Sequence, residues 1–132
     1  MSNPRSPSRG RLSRSAEFER VYRRGRSTAN RDLVLYAFRD AAGAAGRAPR
    51  LGVSVSRRIG GAVERNRVKR LLREAFARTA AGLEDGQDLV IVARPSIAEL
   101  VERRGLAGVE ESLTELIAKV GITGQPEPEP EL

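Results

Sequence analysis

The chain of 132 residues contains no cysteine, no histidine and no tryptophan. Without cysteine there is no disulfide framework and no thiolate metal site. Without histidine the commonest general base and the commonest metal ligand are both missing. No apolar run approaches the length of a membrane span. The polar, arginine-rich N-terminus lacks the apolar stretch of a secretory signal, so a soluble, cytoplasmic protein with no membrane partner is expected. Aromatic residues are scarce, three Phe and two Tyr, and aliphatic side chains must fill most of any core. Lysine is scarcer still, with only Lys69 and Lys119.

Arginine is what the chain has in quantity. The formal net charge is +7, which points to a polyanionic partner. Residues 1–80 hold 20 Lys or Arg against 6 Asp or Glu, whereas residues 81–132 hold 4 against 11. Arginine forks match phosphates and stack on bases; GC-rich coding also enriches arginine, so the distribution carries more meaning than the total. The length suits one domain, with 39% hydrophobic residues to build a modest core. Composition divides the chain into a disordered basic arm at 1–10, a folded domain at 11–120 and a disordered Pro/Glu tail at 121–132.

Within the domain, Ser13 or Ser15 can cap a helix in which Phe18, Val21 and Tyr22 recur at i, i+3 and i+4 and which Gly25 ends. Residues 32–39 (DLVLYAFR) read as a strand with Leu33, Leu35 and Ala37 on one face and Val34, Tyr36 and Phe38 on the other. Residues 41–49 form an Ala/Gly loop. Residues 51–56 (LGVSVS) alternate, placing Leu51, Val53 and Val55 toward the core and leaving Gly52, Ser54 and Ser56 as a small outer face against which something can lie. A long helix is predicted over 62–79, a turn over 82–87, a central strand over 88–94, and helices near 96–102 and over 106–120. The order α-β-β-α-β-α indicates a single α/β domain of the two-layer sandwich type.

The segment RNRVKRLLRE (65–74) is the most informative. At about 100° per residue, Val68, Leu71, Leu72, Ala75 and Phe76 share a stripe. Arg65, Asn66, Lys69 and Arg73 fall opposite, with Arg67 and Arg70 along the flank. Only Glu64 and Glu74 stand near these charges, and self-repulsion on this scale is relieved by an anionic partner such as RNA or DNA. Four of the five aromatics, Phe18, Tyr22, Tyr36 and Phe38, precede this helix. Phe38 fits core packing; Phe18, Tyr22 and Tyr36 fit either core packing or stacking of unpaired bases.

The stretch RLGVSVSRRIGGAVERNRVKRLLREAF (50–76) resembles the signature of the bacterial ribonuclease P protein subunit, and the flanks at 18–38 and 88–96 match the same family's pattern. The resemblance implies an α/β sandwich with a left-handed β-α-β crossover, against the usual right-handed rule. It implies a protein that helps ribonuclease P RNA remove the 5′ leader of precursor tRNA. The RNA would then hold the magnesium ions and cleave the phosphodiester, with no catalytic residue, bound metal or small-molecule substrate on the protein. By motif, Arg65, Asn66, Arg67, Lys69, Arg70 and Arg73 would face the catalytic RNA. Phe18, Tyr22 and Tyr36 would line a cleft for the single-stranded leader, with Asn30, Arg31, Ser54, Ser56 and Arg57 as neighbours. Two other readings stand beside it: a general nucleic-acid-binding module, and a protein nuclease built on Asp32, Asp40, Asp85 and Asp88, which are dispersed in sequence.

Overall fold

A computed structural model of the chain describes residues 11–12, 15–39 and 46–122. The basic arm at 1–10, the candidate cap Ser13, most of the Ala/Gly loop and the acidic tail beyond 122 lie outside the described residues. The elements run α1 (Ser15–Arg24), β1 (Arg26–Ala29), β2 (Leu33–Arg39), β3 (Arg50–Ser54), α2 (Ala62–Thr79), β4 (Gln87–Ala93) and α3 (Ile97–Val120). Short 3-10 turns at Arg57–Ile59 and Ala80–Gly82 flank α2. This is the expected mixed α/β architecture with one strand more than the sequence pattern announced.

The extra strand, β1, has the sequence RSTA and is mostly exposed. It presents no apolar alternation, so nothing in its side chains marks it; backbone pairing with β2 makes it a strand. The two form a hairpin whose turn is closed by Asn30, with Oδ1 accepting from the Asp32 and Leu33 amides at 3.1 and 2.9 Å. The asparagine Nδ2 donates to the Ser112 carbonyl and hydroxyl oxygens and to Glu115 Oε1. The hairpin is thereby tied to α3.

The sheet has the order β1-β2-β4-β3. β2 is antiparallel to both neighbours, and β3 lies parallel to β4. The β3-α2-β4 segment is therefore a β-α-β unit, and the last strand in sequence fills the gap between β2 and β3. Central placement explains its composition: Leu89, Val90 and Ile91 are all fully buried, as expected for a strand covered on both sides.

Alternation along the strands assigns the two faces. Leu33, Leu35, Leu51, Leu89 and Ile91 join the main core with α2 and α3. On α2 the buried residues are Val68, Leu71, Leu72, Ala75 and Phe76, the predicted stripe. The opposite face carries a smaller cluster, in which Leu12, Val21 and Val90 are buried and Phe18, Tyr36, Phe38 and Val92 pack around them. Among the described residues α1 is the only helix covering this face, and Val34, Ser54 and Val92 are left half-buried.

The predicted pair of C-terminal helices is present as one element interrupted at Gly105, whose φ of 55° and ψ of −141° are not helical. No helix among the described residues is long and apolar enough to cross a membrane. A Cβ at Gly105 would meet no neighbouring atom within 4 Å, so only the backbone conformation demands glycine there. Gly105→Ala is expected to lower stability by about 1–3 kcal/mol. Urea unfolding checks this, and an unchanged midpoint would mean that the helix runs through unbroken at no cost.

Candidate nucleic-acid interface

The amphipathic helix α2 presents six cationic side chains, Arg65, Arg67, Lys69, Arg70, Arg73 and Arg78, against Glu64 and Glu74. Glu64 is occupied at the helix start, where its Oε1 accepts the Gly61 amide at 3.0 Å. Among the described residues only Arg78 has a carboxylate partner, Glu110 on α3 at 3.9 Å. The remaining five cations face one another and solvent.

Their arrangement corrects the expected grouping. Asn66, Arg67 and Arg70 are the exposed ones, while Arg65, Lys69 and Arg73 are half-buried along one shoulder of the helix. The buried stripe reaches round to Leu72 and Phe76, which brackets Arg65 and Lys69 and draws that row toward the protein body. Burial first, and then the charge of nearby Arg11, holds the Arg73 guanidinium below its ordinary pKa. The Nε atoms of Arg65 and Arg73 are buried without an acceptor. A row of donors short of acceptors, under mutual repulsion, is suited to anionic oxygen.

The second surface lies on the other face of the sheet. Phe18 and Tyr22 project from successive turns of α1, with ring centroids 6.4 Å apart. Tyr36 rises from β2 and meets Tyr22 edge-on, centroids 4.8 Å apart at 81°. Burial first, and then the proximity of Tyr36, raises the Tyr22 pKa, yet 40% of Tyr22 remains exposed. Strand register sets the floor. Tyr36 pairs with Val90 and Val90 with Gly52; one row on, Val34 pairs with Val92 and Val92 with Ser54. The Phe18 ring sits directly on Gly52, where a Cβ would come within 2.5 Å of it. The small outer face read from the sequence is therefore filled by Phe18 at Gly52 and left open at Ser54.

The remaining sequence-predicted neighbours divide. Ser56 is exposed and its Oγ accepts the Arg58 amide at 3.2 Å, starting the turn that displays Arg57. Arg31 is 75% exposed beside Glu99 at 4.0 Å. Asn30 is not brought to the aromatics, since its amide is turned to α3 on the opposite face of the sheet. Among the described residues no group of three or more acidic side chains is placed to hold a metal ion.

Sequence reasoning missed a buried ion cluster. Asp88 is 2% exposed on the open face of β4. Its Oδ1 accepts from Arg50 Nε and Arg47 Nη1, and its Oδ2 from Arg50 Nη2, all at 3.0 Å. Arg50 Nη1 continues to Glu17 Oε2 on α1 at 3.1 Å. The bond to Asp88, foremost, raises the Arg50 pKa against the opposing effect of burial. An aspartate opening an apolar strand was the available signal. Asp88→Ala removes three guanidinium bonds, leaving Arg50 with Glu17 and Arg47 with the Gly86 carbonyl, and is expected to lower stability by about 3 kcal/mol, the low end for a broken buried pair. The arginines keep about a quarter of their surface in water. A loss below about 1 kcal/mol in chemical denaturation would reduce this cluster to a surface ion pair.

A family model described as Ribonuclease P matches residues 7–121. The chain is 44% identical over 115 residues to the ribonuclease P protein component of Brevibacillus brevis, covering 87% of this chain and 86% of that one. It is 38% identical over 112 residues to that of Clostridium acetobutylicum, covering 85% and 89%. Among solved structures, the RNase P protein of Staphylococcus aureus superposes with a TM-score of 0.74 at 29% identity, over 86% of this chain and 96% of that one. The RNase P protein of Thermotoga maritima gives 0.72 at 30% identity, over 83% and 96%.

Proposed function

The chain belongs to the ribonuclease P protein family, and from that premise we propose that it is the protein subunit of a ribonucleoprotein that removes the 5′ leader of precursor tRNA in the cytoplasm. The observation that carries the proposal is the pairing of two different RNA-suited surfaces on one sheet. One is a helix with five cations that have no carboxylate partner among the described residues; the other is a half-open aromatic face.

In this reading the α2 face docks on the catalytic RNA. Arg67 and Arg70, with Asn66 between them, reach outward to phosphates and base edges. Arg65, Lys69 and Arg73 supply the shoulder, where buried donors gain acceptors on binding. The leader lies across β2 and β4, its unpaired bases stacking on Tyr22, Tyr36 and the edge of Phe18 above Ser54. Ser56 and the exposed Arg57 and Arg31 flank its backbone, and Asn30 supports Arg31 by holding the hairpin turn. The protein binds and orients; the partner RNA, with its magnesium ions, supplies the cleavage chemistry.

Two measurements test the two surfaces separately. Each phosphate contact adds roughly 0.7–0.9 to the slope of log affinity against log salt. Arg67→Ala and Arg70→Ala are each expected to reduce the slope for the catalytic RNA by about that amount while leaving the far-ultraviolet circular dichroism unchanged. An unaltered slope would remove these residues from the RNA face. Tyr36→Ala is expected to weaken precursor tRNA by about 1–3 kcal/mol, one base stack, without affecting mature tRNA. Equal losses for both would remove the leader from the cleft. With two Tyr and no Trp in the chain, intrinsic emission comes from the cleft alone, and a leader oligonucleotide should quench it.

A further inference from the structure

The Glu17–Arg50–Asp88 chain joins three elements on the open face of the sheet and takes no part in either proposed RNA surface. Arg50 and Asp88 stand side by side in the β3–β4 register. The carboxylate is buried and accepts three guanidinium bonds, two of them a fork from Arg50. Such a fork fixes the plane of the guanidinium as well as its position. The remaining nitrogen, Nη1, can then point in only one direction, and at its end is Glu17 of α1.

Glu17 directly precedes Phe18, and Arg50 stands two residues before Gly52 on the same strand face. Ion link and ring seat therefore form a two-point attachment of α1 to β3. Phe18 on Gly52 is a flat contact that a ring can slide across, whereas the link from Glu17 to a locked guanidinium sets the rotation of the helix about its axis. Tyr22, one turn further along, takes its edge-on position against Tyr36 from that rotation.

We propose that Glu17, Arg50 and Asp88 are positioning residues for the leader cleft. They set the roll of α1 and so the edge-on placement of Tyr22 against Tyr36, the two-ring surface on which an unpaired base of the leader stacks. The inference rests on the leader-cleft reading above. The basic helix α2 packs on the opposite face, so its grip on the catalytic RNA does not depend on this link.

The test uses the full chain reconstituted with a cognate catalytic RNA. Glu17→Ala frees α1 while leaving Asp88 fully bonded. The variant should show a changed near-ultraviolet tyrosine band with an unchanged far-ultraviolet spectrum. It should lower kcat/KM for a precursor with a single-stranded leader about tenfold, roughly one stacking contact. Saturating kcat, affinity for mature tRNA and assembly with the RNA should not change. Gly52→Ala, which lifts Phe18 from its seat, should act on the same step, so the double variant should lose less than the product of the two single losses. An unchanged tyrosine band, a loss shared by mature tRNA, or independent losses in the double variant would each overturn the proposal. If Tyr36→Ala weakens the precursor and Glu17→Ala does not, the cleft stands and the positioning role falls. If neither does, both fall.

Discussion

A single ten-residue helix is too small for the sheet face it is asked to cover. α1 is about 15 Å long and about 10 Å wide, a footprint of roughly 150 Å². Four strands, the longest of seven residues, spread over roughly 15 by 23 Å, about 350 Å². On the other face two long helices close the core completely. On this one α1 spans less than half the area, with Leu12 buried beside it, and the side chains are graded accordingly. Val90 is fully buried near α1, while Val34, Val92 and Ser54 at the far end are half-buried and small or aliphatic. An uncovered apolar floor beside two tyrosines is a surface on which flat, partly apolar bases displace water favourably.

The electrostatics are uneven in the same purposeful way. Among the described residues several arginines off α2 are matched, Arg50 and Arg47 by Asp88, Arg103 by Glu99 and Arg104 by Glu111, whereas on α2 only Arg78 is, by Glu110. Five carboxylates, Glu99, Glu102, Glu110, Glu111 and Glu115, lie on α3, which packs beside α2, and of the α2 cations only Arg78 pairs with one among the described residues. Glu102 of α3 even lines one groove with Arg67, yet no ion pair between the two forms. The uncompensated repulsion along α2 is a few tenths of a kcal/mol per pair in water, small against the core and recovered when phosphates arrive.

The helices and the core were legible because their periodicity is long and clean. The α2 stripe from Val68 to Phe76 is read from spacing alone, and so are the last two helical patterns at 96–102 and 106–120 on either side of Gly105. β1 was not legible, because a polar edge strand is held by backbone bonds that leave no side-chain pattern. The grouping of the α2 cations was misjudged for a related reason: the centre of the apolar stripe decides which flank is half-buried, and a shift of one residue moves Arg65 and Lys69 from the outer face to the shoulder. Side-chain networks were beyond reach altogether. That Arg50 meets Asp88 depends on β3 and β4 being adjacent and in a particular register. Asn30 looks like a surface residue until the hairpin is laid against Ser112.

The strand order makes the two surfaces interdependent. α1, β1 and β2 carry the aromatics, β3 and α2 carry the basic helix, and the two halves have no common sheet until β4 enters between β2 and β3. β4 pairs over seven residues with β2 and five with β3, contacts that are distant in sequence and therefore late and cooperative in folding. Once it is in place, cross-links on the open face tie the halves a second time: Leu12 to the Leu51 carbonyl, Phe18 on Gly52, Glu17 to Arg50. A central strand buried at every residue but Val92 then holds the aromatic cleft at a set offset from the basic helix. Under the proposed function, in which one surface meets the catalytic RNA and the other its substrate, that offset is the quantity the fold must control.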